Sequence, residues 1–181
     1  MSDFLNNRGK SLEDAFFRKQ DAKLLGKKKH QIAMREISGL DNDKVLDHLI
    51  ELGVTPETLE AIALVPLVHV AWADGNMNEH ERDAILKATD AKGIERDSES
   101  FETLRGWLDQ KPNAKLFTTW VEYIRALHDV VEADHLAELA TSITAFAEDV
   151  AKAAGGFLGL RSISKEEESA LAEITAAFSP K

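Results

Sequence analysis

Asp74 and Glu81 are the side chains whose type and spacing come nearest to chemistry in this 181-residue chain. They bracket a polar stretch, Asp74-Gly75-Asn76-Met77-Asn78-Glu79-His80-Glu81, which follows directly on an apolar run ending at Ala73. Carboxylates are hard oxygen ligands suited to Ca²⁺ or Mg²⁺. The turn is therefore a candidate metal or small-ligand site, with His80 and the distant Glu167 as candidate further ligands. An EF-hand is excluded. Asp74, Gly75, Met77 and Glu81 fit its second half, but positions 1 and 3 would be Val70 and Trp72, which cannot ligate. The simpler account of these residues is purely structural. Asp74-Gly75 makes a turn, and Asn78 with Glu81 makes a capping box.

Other chemistries fare worse. His69, His80 and Asp74 form a mixed N/O set of the kind that binds Zn²⁺, yet a histidine inside an apolar helix such as His69 reads as a core residue. His80-Glu81 starts a zincin motif whose second histidine is replaced by Ala84. Glu132-x-x-His135 has di-iron spacing but occurs once, where that chemistry needs two copies. Gly155-Gly156 is followed by no Lys-Ser or Lys-Thr, so no P-loop is present. There is no Gly-x-Ser-x-Gly, and there are no cysteines for a thiolate site or nucleophile. The sequence thus points to a non-catalytic protein.

The elements that must position the turn read as helices throughout. Residues 1–10 are polar and expected to be loose. A helix is expected from an N-cap at Ser11, interrupted at Gly26 and Lys27-Lys28-Lys29, resumed at Ile32 and stopped at Gly39. Asp41 is a candidate cap for a short helix ending at Gly53. Thr55-Pro56 opens a central apolar helix, with a kink or break expected at Pro66. A helix from Asn78 runs to Lys92. A short one carries Phe101, Leu104, Trp107 and Leu108. Two amphipathic helices follow, one from Phe117 to Val131 and one from Leu136 to Ala154, ending in the glycine-rich 155–160. Ser164 and Glu167 form a second capping box before a last helix reaching about Phe178. No period-2 run of β-branched residues occurs, so the expected fold is an all-α, multi-helical bundle. Its apolar helix, glycine turn and capped helix echo each other around 73–85 and 154–171, a degenerate internal helix–turn–helix repeat that keeps the turn aspartate only in the first copy.

Charge divides the chain. The net charge is −10. Residues 1–36 carry nine Lys and Arg against five Asp and Glu, a net +4, which leaves −14 on the remainder. We therefore read residues 1–39 as a basic N-terminal helical arm on a domain spanning 40–181. An acidic body argues against general nucleic-acid binding. Lys27, Lys28 and Lys29 are a candidate surface for a protein partner or a second copy, or simply a solvated helix face. The start of the chain, MSDFLNNRGK, has no apolar signal-peptide core, and the apolar run 59–73 is too short and too interrupted to span a bilayer. Together with the lack of cysteine this suggests a cytoplasmic protein.

The stretch Val70-Ala71-Trp72-Ala73-Asp74-Gly75-Asn76-Met77-Asn78-Glu79-His80-Glu81 resembles the TerB-like, tellurite-resistance-associated helical domain family. The resemblance covers roughly residues 59–178 and leaves the first 58 outside. It implies an all-helical bundle with no established catalytic activity, a role in chemical-stress response, and acidic residues that bind a metal ion. The matching positions here are Asp74 and Glu81, and more weakly Glu167.

Overall fold

The computed structural model describes residues 2–154 and 163–179. Within them the protein is all-α, a multi-helical bundle with no strand among the described residues. Its elements are α1 (Ser2–Ser38), α2 (Asp43–Glu51), a 3-10 helix (Pro56–Leu64), α3 (Val65–Ala71), α4 (Glu79–Ala91), α5 (Glu99–Asp109), α6 (Lys115–Leu127), α7 (Ala133–Ala154) and α8 (Lys165–Ala177).

The short α3, apolar except for His69, is the hub. It packs on α4, α6, α7, α8 and the 3-10 helix, and Val65, Leu67, Val68, Val70 and Ala71 are buried. A helix apolar on nearly all sides is stable only when enclosed in this way. Around it, Ile85 of α4, Leu104 of α5, Trp120 and Ile124 of α6, Ile143 of α7 and Ile174 of α8 close one continuous core.

Pro66 acts where the sequence placed a break, but by a different route. The polypeptide from Pro56 to Leu64 is 3-10, not α, and Pro66 sits in the first turn of a new α-helix. There its missing N–H would be unpaired in any case. Thr55 caps the 3-10 stretch, its backbone N–H donating to Thr58 Oγ1 at 2.8 Å.

α1 departs further from expectation. It begins at Ser2 rather than Ser11 and runs unbroken through Gly26 and the three lysines. One glycine costs a helix only about 1 kcal/mol, and lysine is a good helix former. The C-terminal third of α1 is also held from outside. Met34 is fully buried, and Lys27 pairs with Asp47 at 3.2 Å and Glu51 at 3.4 Å on α2. Gly39, with φ 69°, ends the helix in the left-handed conformation that glycine adopts at no steric cost. The cap of α2 is Asn42, whose side chain accepts from the Val45 N–H, and not Asp41, which instead pairs with Arg35.

Both expected capping boxes form, at the starts of α4 and α8. The glycine-rich segment 155–160, on which the second copy of the repeat depends, lies outside the described residues.

Candidate functional site

The turn between α3 and α4 is built as its residues dictate. Gly75 takes φ 94°, open only to glycine at little cost. Asp74 is exposed, and its Oδ1 accepts from the Asn76 N–H at 2.9 Å, an Asx turn. Asn78 Oδ1 accepts from the N–H groups of His80 and Glu81 at 2.9 and 3.0 Å. Glu81 Oε2 in return accepts from the Asn78 N–H at 2.8 Å. At α8 the same exchange joins Ser164 and Glu167, at 2.6 and 3.1 Å.

The two capping glutamates are buried, Glu81 at 3% exposure and Glu167 at 5%. Burial pushes the Glu81 carboxyl up to about 7. The bond from the Asn78 N–H opposes this, while the negative charges of Glu167 and Asp74 add to it. The fold thus brings Asp74, Glu81 and Glu167 within electrostatic reach of one another. His80 does not join them. It is exposed and lines an open cleft of about 600 Å³ between α4 and α7, with Asp83, Lys87, Asp149 and Lys152.

These groups do not fit a divalent-cation cage. Ca²⁺ takes six to eight oxygens and Mg²⁺ a near-ideal octahedron. Here both buried carboxylates are engaged in helix caps, and Asp74 in its turn. Among the described residues no three His, Asp or Glu side chains are grouped to hold a metal. Glu132 and His135 are both exposed. The chemistry the junction supports is a single buried carboxyl, Glu81, that keeps its proton up to about pH 7.

The lysine run splits by role. Lys27 is tied to α2, whereas Lys28 and Lys29 are exposed. With Lys19 and Lys23 they make no ion pair among the described residues. Beside them lies what sequence reading missed. Of the seven large apolar side chains exposed among the described residues, six are on α1: Phe16, Phe17, Leu24, Leu25, Ile32 and Ile37. Several of these looked like the inner face of a helix by spacing, and only the tertiary structure shows that nothing covers them.

Two features pair residues far apart in sequence. His69 stacks on Phe117, centroids 3.6 Å apart, and its Nε2 lies 3.3 Å from Glu173 of α8. Burial lowers its pKa, with Lys111 adding to the effect and Glu173 opposing it. Trp72 Nε1–H donates to the Trp107 carbonyl at 2.9 Å. His69, Trp72, Lys111 and Phe117 line an apolar groove of about 360 Å³. A second groove, of about 480 Å³, opens between the 3-10 helix, α6 and α7.

The fold and these sites define an all-α bundle with a long, apolar-studded N-terminal helix and an acidic, doubly capped junction. Comparison with protein-family models, with curated proteins and with solved structures gave no significant match. The resemblance to the TerB-like domain therefore rests on the residues from Val70 to Glu81 that carry it. Among the described residues no single helix is long and apolar enough to cross a membrane.

Proposed function

We propose that this chain is a non-catalytic helical module that works by binding another macromolecule through the free part of α1. The observation that carries this reading is the concentration of exposed large apolar side chains on that one helix. An apolar surface gathered on one element, and nearly missing from the rest of the described residues, marks an interaction site. Helix physics supports the same reading. From Phe16 to Leu25 every residue is exposed, and helices of this kind without tertiary support are marginal in water. A partner surface supplies that support. The TerB-like resemblance adds a chemical-stress setting to this proposal. It does not add a metal, because the carboxylates it points to are engaged in caps and a turn.

The test removes residues 1–26 and compares the shortened protein with the full chain by light scattering and by binding of an apolar dye. The expected result is loss of self-association or dye binding, with the melting temperature of the body unchanged. Equal association and dye binding by both proteins would take α1 out of the function.

A further inference from the structure

We infer that the partner of α1 is a second copy of this chain, whose α1 lies across the groove between the 3-10 helix, α6 and α7. The inference rests on α1 being the interaction element and names what it binds.

The groove is apolar within and acidic at its edge. Ile37, Leu59, Ile62, Trp120, Leu127 and Ile143 line it, and the exposed Glu57 and Glu60 stand on it. Trp120 is 1% exposed, yet its Nε1–H has no acceptor among the described residues. With no accessible surface of its own, that N–H lies beneath the floor of the groove and not in it.

α1 carries the complement. Phe17, Leu24 and Ile32 recur at about two-turn intervals, with Leu25 alongside, so they share one face. Lys19, Lys23, Lys28 and Lys29 make no ion pair within the chain among the described residues. The arm, residues 1–36, is net +4 and the rest of the chain −14. One chain thus holds a basic apolar stripe and an acidic apolar groove, the two halves of one contact.

The placement suits reciprocal exchange. Ile37, near the end of α1 and on a different face from the stripe, lines the groove. Each arm therefore leaves its own body at the edge of the groove that receives the other arm. Such a contact is self-complementary, as a two-fold interface must be. Leu24 lies about 20 Å along the helix from Ile37 and Phe17 about 30 Å, at 1.5 Å per residue; Leu24 still borders an open cleft against Ile50 and Glu51 of α2, so it is the end of the stripe around Phe17 that extends past α2.

A bilayer is the less suitable surface. Asp21 and Lys28 stand on the apolar stripe itself, one and three turns from Phe17, whereas interfacial helices present a broad unbroken apolar face. The acidic body would also be repelled by the anionic lipids that attract the lysines.

The experiment is sedimentation velocity of the full chain over a wide concentration range, with circular dichroism to confirm folding of each variant. The wild type is expected to dimerise, and Leu24→Glu with Leu25→Glu to be monomeric. Glu57→Gln with Glu60→Lys should weaken the dimer roughly ten-fold, as should Lys28→Glu with Lys29→Glu. Combining Glu60→Lys with the two lysine reversals should restore much of the loss. Three results would overturn the inference while separating it from the broader reading. A dimer abolished by the leucine changes but indifferent to Glu57 and Glu60 removes the groove and keeps α1. A monomer that binds phosphatidylserine vesicles through Leu24 and Leu25 removes the second copy and keeps α1. A monomer that binds neither, with exposed leucines that can be changed without effect, removes both.

Discussion

Glu81 is the residue whose chemistry the fold changes most, and its pH dependence can be worked out from its surroundings. In the unfolded chain the carboxyl titrates near 4.5, and in the folded protein near 7. Between those values the folded state holds a proton that the unfolded state releases. The resulting stabilisation is complete below pH 4.5 and is lost as pH rises through 7. It amounts to roughly 3 kcal/mol. Glu81→Gln keeps an oxygen that can accept the Asn78 N–H but carries no charge at any pH. The variant is expected to be more stable than wild type at pH 8 and to show a flatter melting-temperature profile from pH 5 to 8. A profile as steep as that of wild type would place the titration elsewhere. Asp74→Asn should act in the same direction but more weakly, since its charge is the last of the causes that raise Glu81. Part of this was legible beforehand. Asn78 three residues before Glu81, and Ser164 three before Glu167, are short-range patterns that act through local backbone bonds. That the two glutamates are buried and feel one another was not legible, because it depends on how α4 and α8 pack and no local pattern encodes that. His69 shows the same limit. Its placement in the apolar helix was readable, but its partners Phe117 and Glu173 come from two other helices.

At the scale of elements, helix ends were read better than helix interiors. Gly39, Gly53, Gly75 and Gly93 all take positive φ at turns or helix stops, and the 3.6-residue spacing of α6 and α7 survives as buried rows. The expectations that failed concern breakers. Gly26 looked like an interruption and is not one, since a helix can absorb a glycine at a cost that neighbouring residues offset. A Cβ at Gly26 would meet nothing within 4 Å. Gly26→Ala is therefore expected to stabilise α1 by up to about 1 kcal/mol, seen as slower amide exchange on both sides of position 26. Faster exchange would mean that the glycine is needed for a close approach. The caps offer a second check at this scale. Ser164→Ala removes the hydroxyl that accepts the Glu167 N–H and should cost about 1 kcal/mol in urea unfolding. Asn78→Ala should cost at least as much, because its side chain serves two N–H groups rather than one.

For the whole molecule, the useful signal in the sequence was the separation of charge, and what it lacked was the map of covered and uncovered surface. Periodicity marks an apolar face without telling whether the chain itself covers it, so Leu24 and Ile32 read like Leu136, Leu139 and Ile143 until the packing is known. The separation of charge makes one further prediction. If a basic arm meets an acidic rim, raising NaCl from roughly 0.05 to 0.5 M shortens the Debye length severalfold and should lower the dimer fraction. An association driven by apolar contact alone would hold or strengthen. The measurement is sedimentation at fixed protein concentration across that range.

One feature of α1 sets a geometric rule for anything it joins. The helix is 37 residues long, about 55 Å, and its last turns are locked into the body through Met34. A rod fixed at one end works as a ruler and as a dial. Its length sets how far apart two joined bodies stand, and its pitch sets which way the stripe faces. Adding one residue between Ile32 and Met34 turns the outer stripe through about 100° and moves it 1.5 Å. Adding seven returns it nearly to its original bearing, some 10 Å further out. The phase of the helix, more than its composition, then decides whether two bodies can meet.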